Sequence, residues 1–178
     1  EGLPRFCGGA IGFISYDTVR EIEKLPDSSP KELDLFDMYF IFTDTFLVFD
    51  NVEHKIKIIS NAYINHNEDA AVAYGAAIAK INAVVETLRK KAATEPLAPE
   101  RAGAKEITSN FSKEAFVKAV ERVKQYISSG DIIQTVLSQR FSTALRAAPF
   151  DIYRALRVIN PSPYMFFLRL GDTTLAGS

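Results

Sequence analysis

Asn160-Pro161-Ser162-Pro163-Tyr164-Met165 separates a helical pattern from an apolar strand, and its reading decides how the chain is organised. Each proline fixes its own φ and pushes the residue before it out of helical space. Before this corner, Asp151 opens a predicted helix with Ile152, Leu156 and Ile159 as its inward stripe. Beyond it, Tyr164 to Leu170 reads as a strand, Gly171-Asp172 as a hairpin turn, and Thr173 to Ala176 as the returning strand. The corner itself has two readings. One is a proline-terminated helix end, which is commonplace. The other is a rigid turn, poor in donors, that presents an aromatic ring and a thioether as one wall of a small-ligand pocket. The residues alone rank the helix stop first.

Upstream, Ser112 caps a predicted helix whose stripe is Phe116, Val120, Val123 and Ile127, with Gly130 as its stop. Ile132 to Phe141 follows as a predicted strand with one unusual face. Period-two geometry turns Gln134, Ser138 and Arg140 to one side. A buried polar group needs a partner. The functional reading is a pocket floor, in which Gln134 offers donor and acceptor and Arg140 suits a carboxylate. The structural reading is a polar edge with Arg140 in an ordinary ion pair. Both readings stand on the residues alone.

The first half reads as strand-rich. Cys7 to Ile14 is expected as a buried strand, with its glycines serving close backbone packing or a bulge rather than a phosphate loop. Asp17 is the expected cap of a short helix from Thr18 to Leu25, stopped by Pro26, and Asp27 to Leu35 is a polar loop. Met38 to Phe49 alternates as one strand, Asp50-Asn51 turns, and Lys55 to Ile64 returns, giving an antiparallel meander. Asn67 is the expected cap of a long helix from Glu68 to about Lys91, with Ile78, Ile81, Val85 and Leu88 inward and Arg89-Lys90-Lys91 at the negative end of its dipole. Ala92 to Lys105 is an Ala/Pro-rich linker. The expected divisions are 1–91, a linker over 92–108, and 109–178.

The 178 residues are 47% hydrophobic, ample for a core. No run approaches the ~18–20 apolar residues of a membrane span, and the start shows no signal peptide. A net charge of −1 without a basic block gives no electrostatic footprint for nucleic acid. The lone Cys7 excludes an internal disulfide framework and fits a reducing compartment. His54 and His66 lack ligands at zinc spacing and read as surface residues. No Ser-His-Asp or Cys-His set can be argued. Strands close to both ends suggest the middle of a longer protein.

Taken in order, several stretches resemble one family. Asn160-Pro-Ser-Pro-Tyr-Met-Phe-Phe-Leu168, preceded by Gly130-Asp-Ile-Ile-Gln-Thr-Val-Leu-Ser-Gln-Arg-Phe141, resembles anthranilate synthase component I, a chorismate-utilising enzyme. So do Gly8-Gly-Ala-Ile-Gly-Phe-Ile-Ser-Tyr-Asp17, Asp37-Met-Tyr-Phe-Ile-Phe-Thr-Asp-Thr45 and Phe111-Ser-Lys-Glu-Ala-Phe116. Together they cover nearly the whole chain outside the linker.

The resemblance implies an α+β fold of mostly antiparallel sheets flanked by helices, as part of a layered sandwich. It implies a cytoplasmic lyase that makes anthranilate and pyruvate from chorismate and ammonia with Mg²⁺. A glutamine amidotransferase subunit would supply the ammonia, and L-tryptophan would inhibit by feedback. It maps a tryptophan site onto Pro163, Tyr164 and Met165, where aromatic and sulfur contacts can pack an indole. It also places Gln134 on the active-site strand; Arg140 is the candidate substrate contact on the residue pattern given above. Related synthases that use water carry lysine at the Gln134 position; a neutral amide agrees with ammonia as nucleophile. The sister enzyme aminodeoxychorismate synthase shares that glutamine, while Ser-Pro-Tyr-Met favours anthranilate synthase. A stand-alone amino-acid-binding module is the remaining alternative.

The family's Leu-Leu-Glu-Ser segment is absent here. So are its Gly-Thr segment, its catalytic His and Glu, the Tyr and Arg that hold chorismate, and its Mg²⁺-binding carboxylates. The expectation is therefore no synthase activity from these residues alone, and exposed apolar sheet edges prone to association.

Overall fold

The computed structural model describes residues 2–26, 31–91 and 106–178. Its strands are β1 (Gly9–Ile14), β2 (Met38–Thr43), β3 (Thr45–Asp50), β4 (Lys55–Ser60), β5 (Thr108–Ser109), β6 (Phe141–Ser142), β7 (Phe166–Leu170) and β8 (Thr173–Gly177). Its helices are α1 (Ala70–Arg89), α2 (Lys113–Ser129) and α3 (Pro149–Ile159). The strands form four antiparallel pairs, β1–β2, β3–β4, β5–β6 and β7–β8. The class is α+β, as expected. Two units are distinguished by packing: Glu1–Glu95 with Phe166–Gly177, and Pro96–Met165 with Ser178. The expected 92–105 linker and residues 27–30 of the expected loop lie outside the described residues.

In the first unit, β1 is shorter than expected and largely exposed along its length. Gly12 explains its glycines: an added Cβ would collide with the Tyr39 carbonyl oxygen of β2, so a side chain is excluded by close backbone approach. The helix expected over Thr18–Leu25 is instead a 3₁₀ turn, Tyr16–Glu21, preceded by Ser15. Asp17 does not cap it; it lies in the first turn and pairs with Arg20 at 3.1 Å.

The single strand expected over Met38–Phe49 is broken at Asp44 into β2 and β3, which pair with different partners. At the break the Asp44 carbonyl accepts from the Asn61 amide at 2.7 Å, and its carboxylate accepts from Lys80 of α1 at 2.6 Å. The Asp50-Asn51 turn forms as expected. The Asp50 carboxylate accepts from the amides of Val52 (3.1 Å) and Glu53 (3.0 Å), and His54 closes the turn at φ 52°.

α1 begins two residues later than expected. Asp69 caps it, accepting from the Ala71 amide at 2.9 Å. Asn67 lies in the preceding turn. The buried residues of the helix are Ala73 and Ala77, and Ile81, Val84 and Val85 are half-buried, whereas Ile78 and Leu88 are exposed. The face is set by what fits close to β4, against which α1 packs, rather than by the largest side chains. By length and composition α1 is also apolar enough to cross a membrane, with mean hydropathy 1.3. That corrects the expectation that no segment approaches a span. The alanines raise the average, and the helix carries Lys80 and buries its alanines against a strand.

The β7–β8 hairpin joins this unit with the expected two-residue turn. Gly171 has φ 59° at its first position, the Gly-first pattern of a type II′ turn. Leu170 is 3% exposed and, with Ala73 and Ala77, makes up the buried apolar set among the described residues.

In the second unit, α2 matches its sequence signals closely. Ser112 accepts from the Ala115 amide at 3.1 Å, and Gly130 ends the helix at φ 83°. Phe116, Val120 and Val123 are half-buried, but Ile127 is exposed. α3 starts at Pro149, with proline in its first turn, not at Asp151; Asp151 pairs with Arg154 at 3.1 Å. Of its expected stripe only Leu156 is half-buried, while Ile152 and Ile159 are exposed.

Candidate functional site

The proline corner is held at three points. The Asn160 amide donates to the Leu156 carbonyl at 2.8 Å, closing α3, and its Nδ2 donates to Ser178 Oγ at 2.9 Å. The Tyr164 amide donates to Ser162 Oγ at 3.2 Å, a serine turn between the two prolines. This turn keeps Tyr164 out of the strand expected to begin there; β7 starts at Phe166. Pro163 is exposed, Tyr164 is 85% exposed, and Met165 is half-buried. The corner therefore displays its phenol ring outward on a fixed backbone.

The strand expected over Ile132–Phe141 is absent as a strand. Only Phe141–Ser142 pairs, with Thr108–Ser109, because the β5 partner is two residues long. A strand without a ladder partner has no reason to stay pleated. Ile133 is 96% and Phe141 65% exposed, so the expected apolar face is largely unburied. Gln134 and Ser138 are exposed as well, and Gln134 has no hydrogen bond among the described residues.

Arg140 is half-buried, and its backbone is held from both sides by Asn110. Its amide donates to Asn110 Oδ1 at 2.8 Å, and its carbonyl accepts from the Asn110 amide at 3.2 Å. Gln139, assigned from sequence to the opposite face, is the side chain tied in here. Its Nε2 donates to Ser109 Oγ at 2.8 Å, which in turn donates to the Phe111 carbonyl at 2.8 Å. Sequence reasoning missed the Gln139–Ser109 and Arg140–Asn110 bonds. Their signal was the Ser109-Asn110-Phe111-Ser112 run, whose side chains compete for backbone groups.

Two clefts among the described residues lie in the first unit. A cleft of about 290 Å³ is lined by Phe13, Phe36, Tyr39, Leu170 and Asp172 among others, and another of about 330 Å³ by Lys31, Asp34, Leu35, Phe36 and Asp37. Neither is lined by Gln134, Arg140 or the proline corner.

The perturbed ionisable groups serve the fold. The Lys80 ammonium hydrogen-bonds the Asp44 carboxylate and holds it below the usual carboxylate range. Asp50 is lowered first by the Glu53 amide and then by Lys57, and Lys57 is raised by Asp50 at 2.9 Å. Among the described residues, no three His, Cys, Asp or Glu side chains cluster as metal ligands. His54 and His66 are both exposed.

A family model described as chorismate binding enzyme matches residues 1–178. The chain is similar to anthranilate synthase component 1 of Acetivibrio thermocellus, 43% identical over 181 residues, covering 99% of this chain and 36% of that relative. The corresponding protein of Geobacillus stearothermophilus is 40% identical over 187 residues, covering 100% of this chain and 37% of the relative. A crystal structure of anthranilate synthase component I from Streptococcus pneumoniae TIGR4 matches with TM-score 0.78 and 34% identity, covering 99% of this chain and 39% of that chain. The chain thus spans little more than a third of the length of these relatives.

Proposed function

The chain belongs to the chorismate-binding enzyme family, and from that premise we propose that it is an internal segment of an anthranilate synthase component 1. The parent converts chorismate and ammonia to anthranilate and pyruvate, as a lyase of tryptophan biosynthesis. The observation that carries this reading is the similarity to anthranilate synthases along 99% of the chain. In this reading 1–91 belongs to the regulatory side, 92–108 links, and 109–178 begins the catalytic portion.

Pro163, Tyr164 and Met165 form one wall for L-tryptophan as feedback inhibitor. The outward Tyr164 ring and the proline-fixed backbone support this, since a preset turn loses little freedom on binding. Gln134 orients the ammonia that a glutamine amidotransferase subunit delivers, its neutral amide acting as both donor and acceptor. Arg140 contacts a chorismate carboxylate. Mg²⁺ supplies Lewis acidity in the parent. The described residues do not fit it, lacking a carboxylate cluster, so its ligands belong to the rest of the parent. The working compartment is the cytoplasm, which suits the free thiol of Cys7.

The test is fluorescence detection of anthranilate from chorismate, ammonia and Mg²⁺. The expected result is product from the full-length parent and none from residues 1–178. In the parent, Tyr164→Ala should raise the tryptophan needed for half-inhibition about tenfold. Aminodeoxychorismate as the parent's product, or anthranilate from the 178 residues alone, overturns the reading.

A further inference from the structure

The cleft between the β1–β2 pair and the β7–β8 hairpin joins aromatic walls to a rim of one charge. Phe13 of β1 and Tyr39 of β2 are directly opposed and half-buried, and Leu170 of β7 lines the cleft with them at 3% exposure. The Phe36 ring meets the Tyr39 ring at 5.8 Å, with 59° between their planes, yet Phe36 is 71% exposed. Tyr39 Oη reaches the hairpin turn, 3.8 Å from where a Cβ on Gly171 would sit. Asp34 and Asp172 supply the carboxylates, and no basic residue lines the cleft among the described residues. Neither carboxylate has a partner among the described residues; Lys31, in the neighbouring cleft, is not paired with Asp34.

Asp37 fixes the Phe36 side of the wall. Its carbonyl accepts from the Ser15 amide at 2.7 Å and from Thr18 Oγ1 at 3.3 Å, and its carboxylate accepts from Ser15 Oγ at 3.0 Å. A preset wall loses little freedom when a ligand arrives. Aromatic faces attract cations, most strongly where water is displaced. Two unpaired carboxylates attract the same charge and repel anions. Carboxylate ligands, chorismate among them, are therefore poor occupants. The volume of about 290 Å³ is at the small end of ligand pockets, enough for a single ring with a short arm.

We propose that this cleft is a binding site for a small organic cation, an ammonium carried on an aromatic or short apolar stem. The stem lies against Phe13, Tyr39 and Leu170, and the ammonium faces Asp34 and Asp172 beside the Phe36 ring. The proposal does not depend on which reaction the parent performs.

The test uses the full-length parent, titrated with phenethylammonium chloride at neutral pH and followed by broadening of the ligand's NMR lines. Phenylpropionate, with the same ring and arm, is the charge-reversed probe. The ammonium should bind at least about tenfold more tightly than the carboxylate, and 1 M salt should narrow the difference. Phe36→Ala and Asp34→Asn, both at exposed positions, should each weaken ammonium binding about fivefold. The comparison of the two probes on the unsubstituted parent stands whether or not a variant folds. Equal affinity for the two probes overturns the proposal. Ammonium binding untouched by both substitutions also overturns it, because the cation then sits elsewhere. So does a parent that binds no ammonium, because its cleft is then closed to ligands.

Discussion

The β1–β2 and β3–β4 pairs differ in what their sequences cannot show. Both are antiparallel pairs of six-residue strands, both are rich in Phe and Ile, and they follow one another across Asp44. Yet Thr45 to Val48 and Lys57 to Ser60 are all half-buried, while most of β1 and β2 is exposed. The difference is a covering layer. α1 lies on β4 through Ala73 and Ala77, and Lys80 ties it to Asp44. Strand pairing satisfies backbone hydrogen bonds, but burial requires a second layer.

Three experiments break or sharpen that contrast. Gly12→Val should have the largest effect, because the new side chain meets the rigid backbone at Tyr39 rather than a yielding side chain. A loss of about 3 kcal/mol in urea denaturation is expected, since overpacking against a backbone cannot relax by rotamer changes. No loss would show that the close approach is not needed.

Ala77→Leu strikes the other pair by wedging α1 from β4. About 2 kcal/mol is expected, with faster hydrogen exchange in β4 and unchanged exchange in β1. Equal changes in both pairs would erase the distinction.

The smallest effect is electrostatic and confined to the β3–β4 side. Asp44 and Asp50 have carboxyls lowered from 3.8 in the fold. Their contribution is complete above the ordinary carboxylate range and is lost as pH falls through the lower folded values. Lys57 is raised from 10.5, so its contribution holds below that value and is lost as pH rises through the folded one. Asp50→Asn should flatten both limbs of the stability–pH curve, and 1 M salt should weaken them. An unchanged acid limb would remove Asp50 from the account.

Local signals were the most legible. Ser112 with Gly130, Asp50-Asn51 and Gly171-Asp172 all read correctly, because each acts through hydrogen bonds or φ within a few residues. The helix faces were less legible. Ile78, Ile152 and Ile159 follow helical spacing yet are exposed; spacing gives a stripe, but only the neighbouring element decides whether it is covered. The strand over Ile132–Phe141 failed for the same reason, since its pattern required a long ladder partner and β5 offers two residues. Near the candidate site, the end of α3 at the proline corner was readable, whereas the Gln139–Ser109 bond joins residues 30 apart and left no periodic trace.

The sequence by itself determined the α+β class, the Ser112 and Gly130 caps of α2, the tight turns and the family, because these rest on short-range chemistry and on an ordered series of motifs. Tertiary structure alone decided the break at Asp44, the choice of Ala73 and Ala77 as the buried face of α1, and the outward ring of Tyr164. Each depends on which surfaces meet, and two surfaces far apart in sequence carry no local mark of the contact they will make.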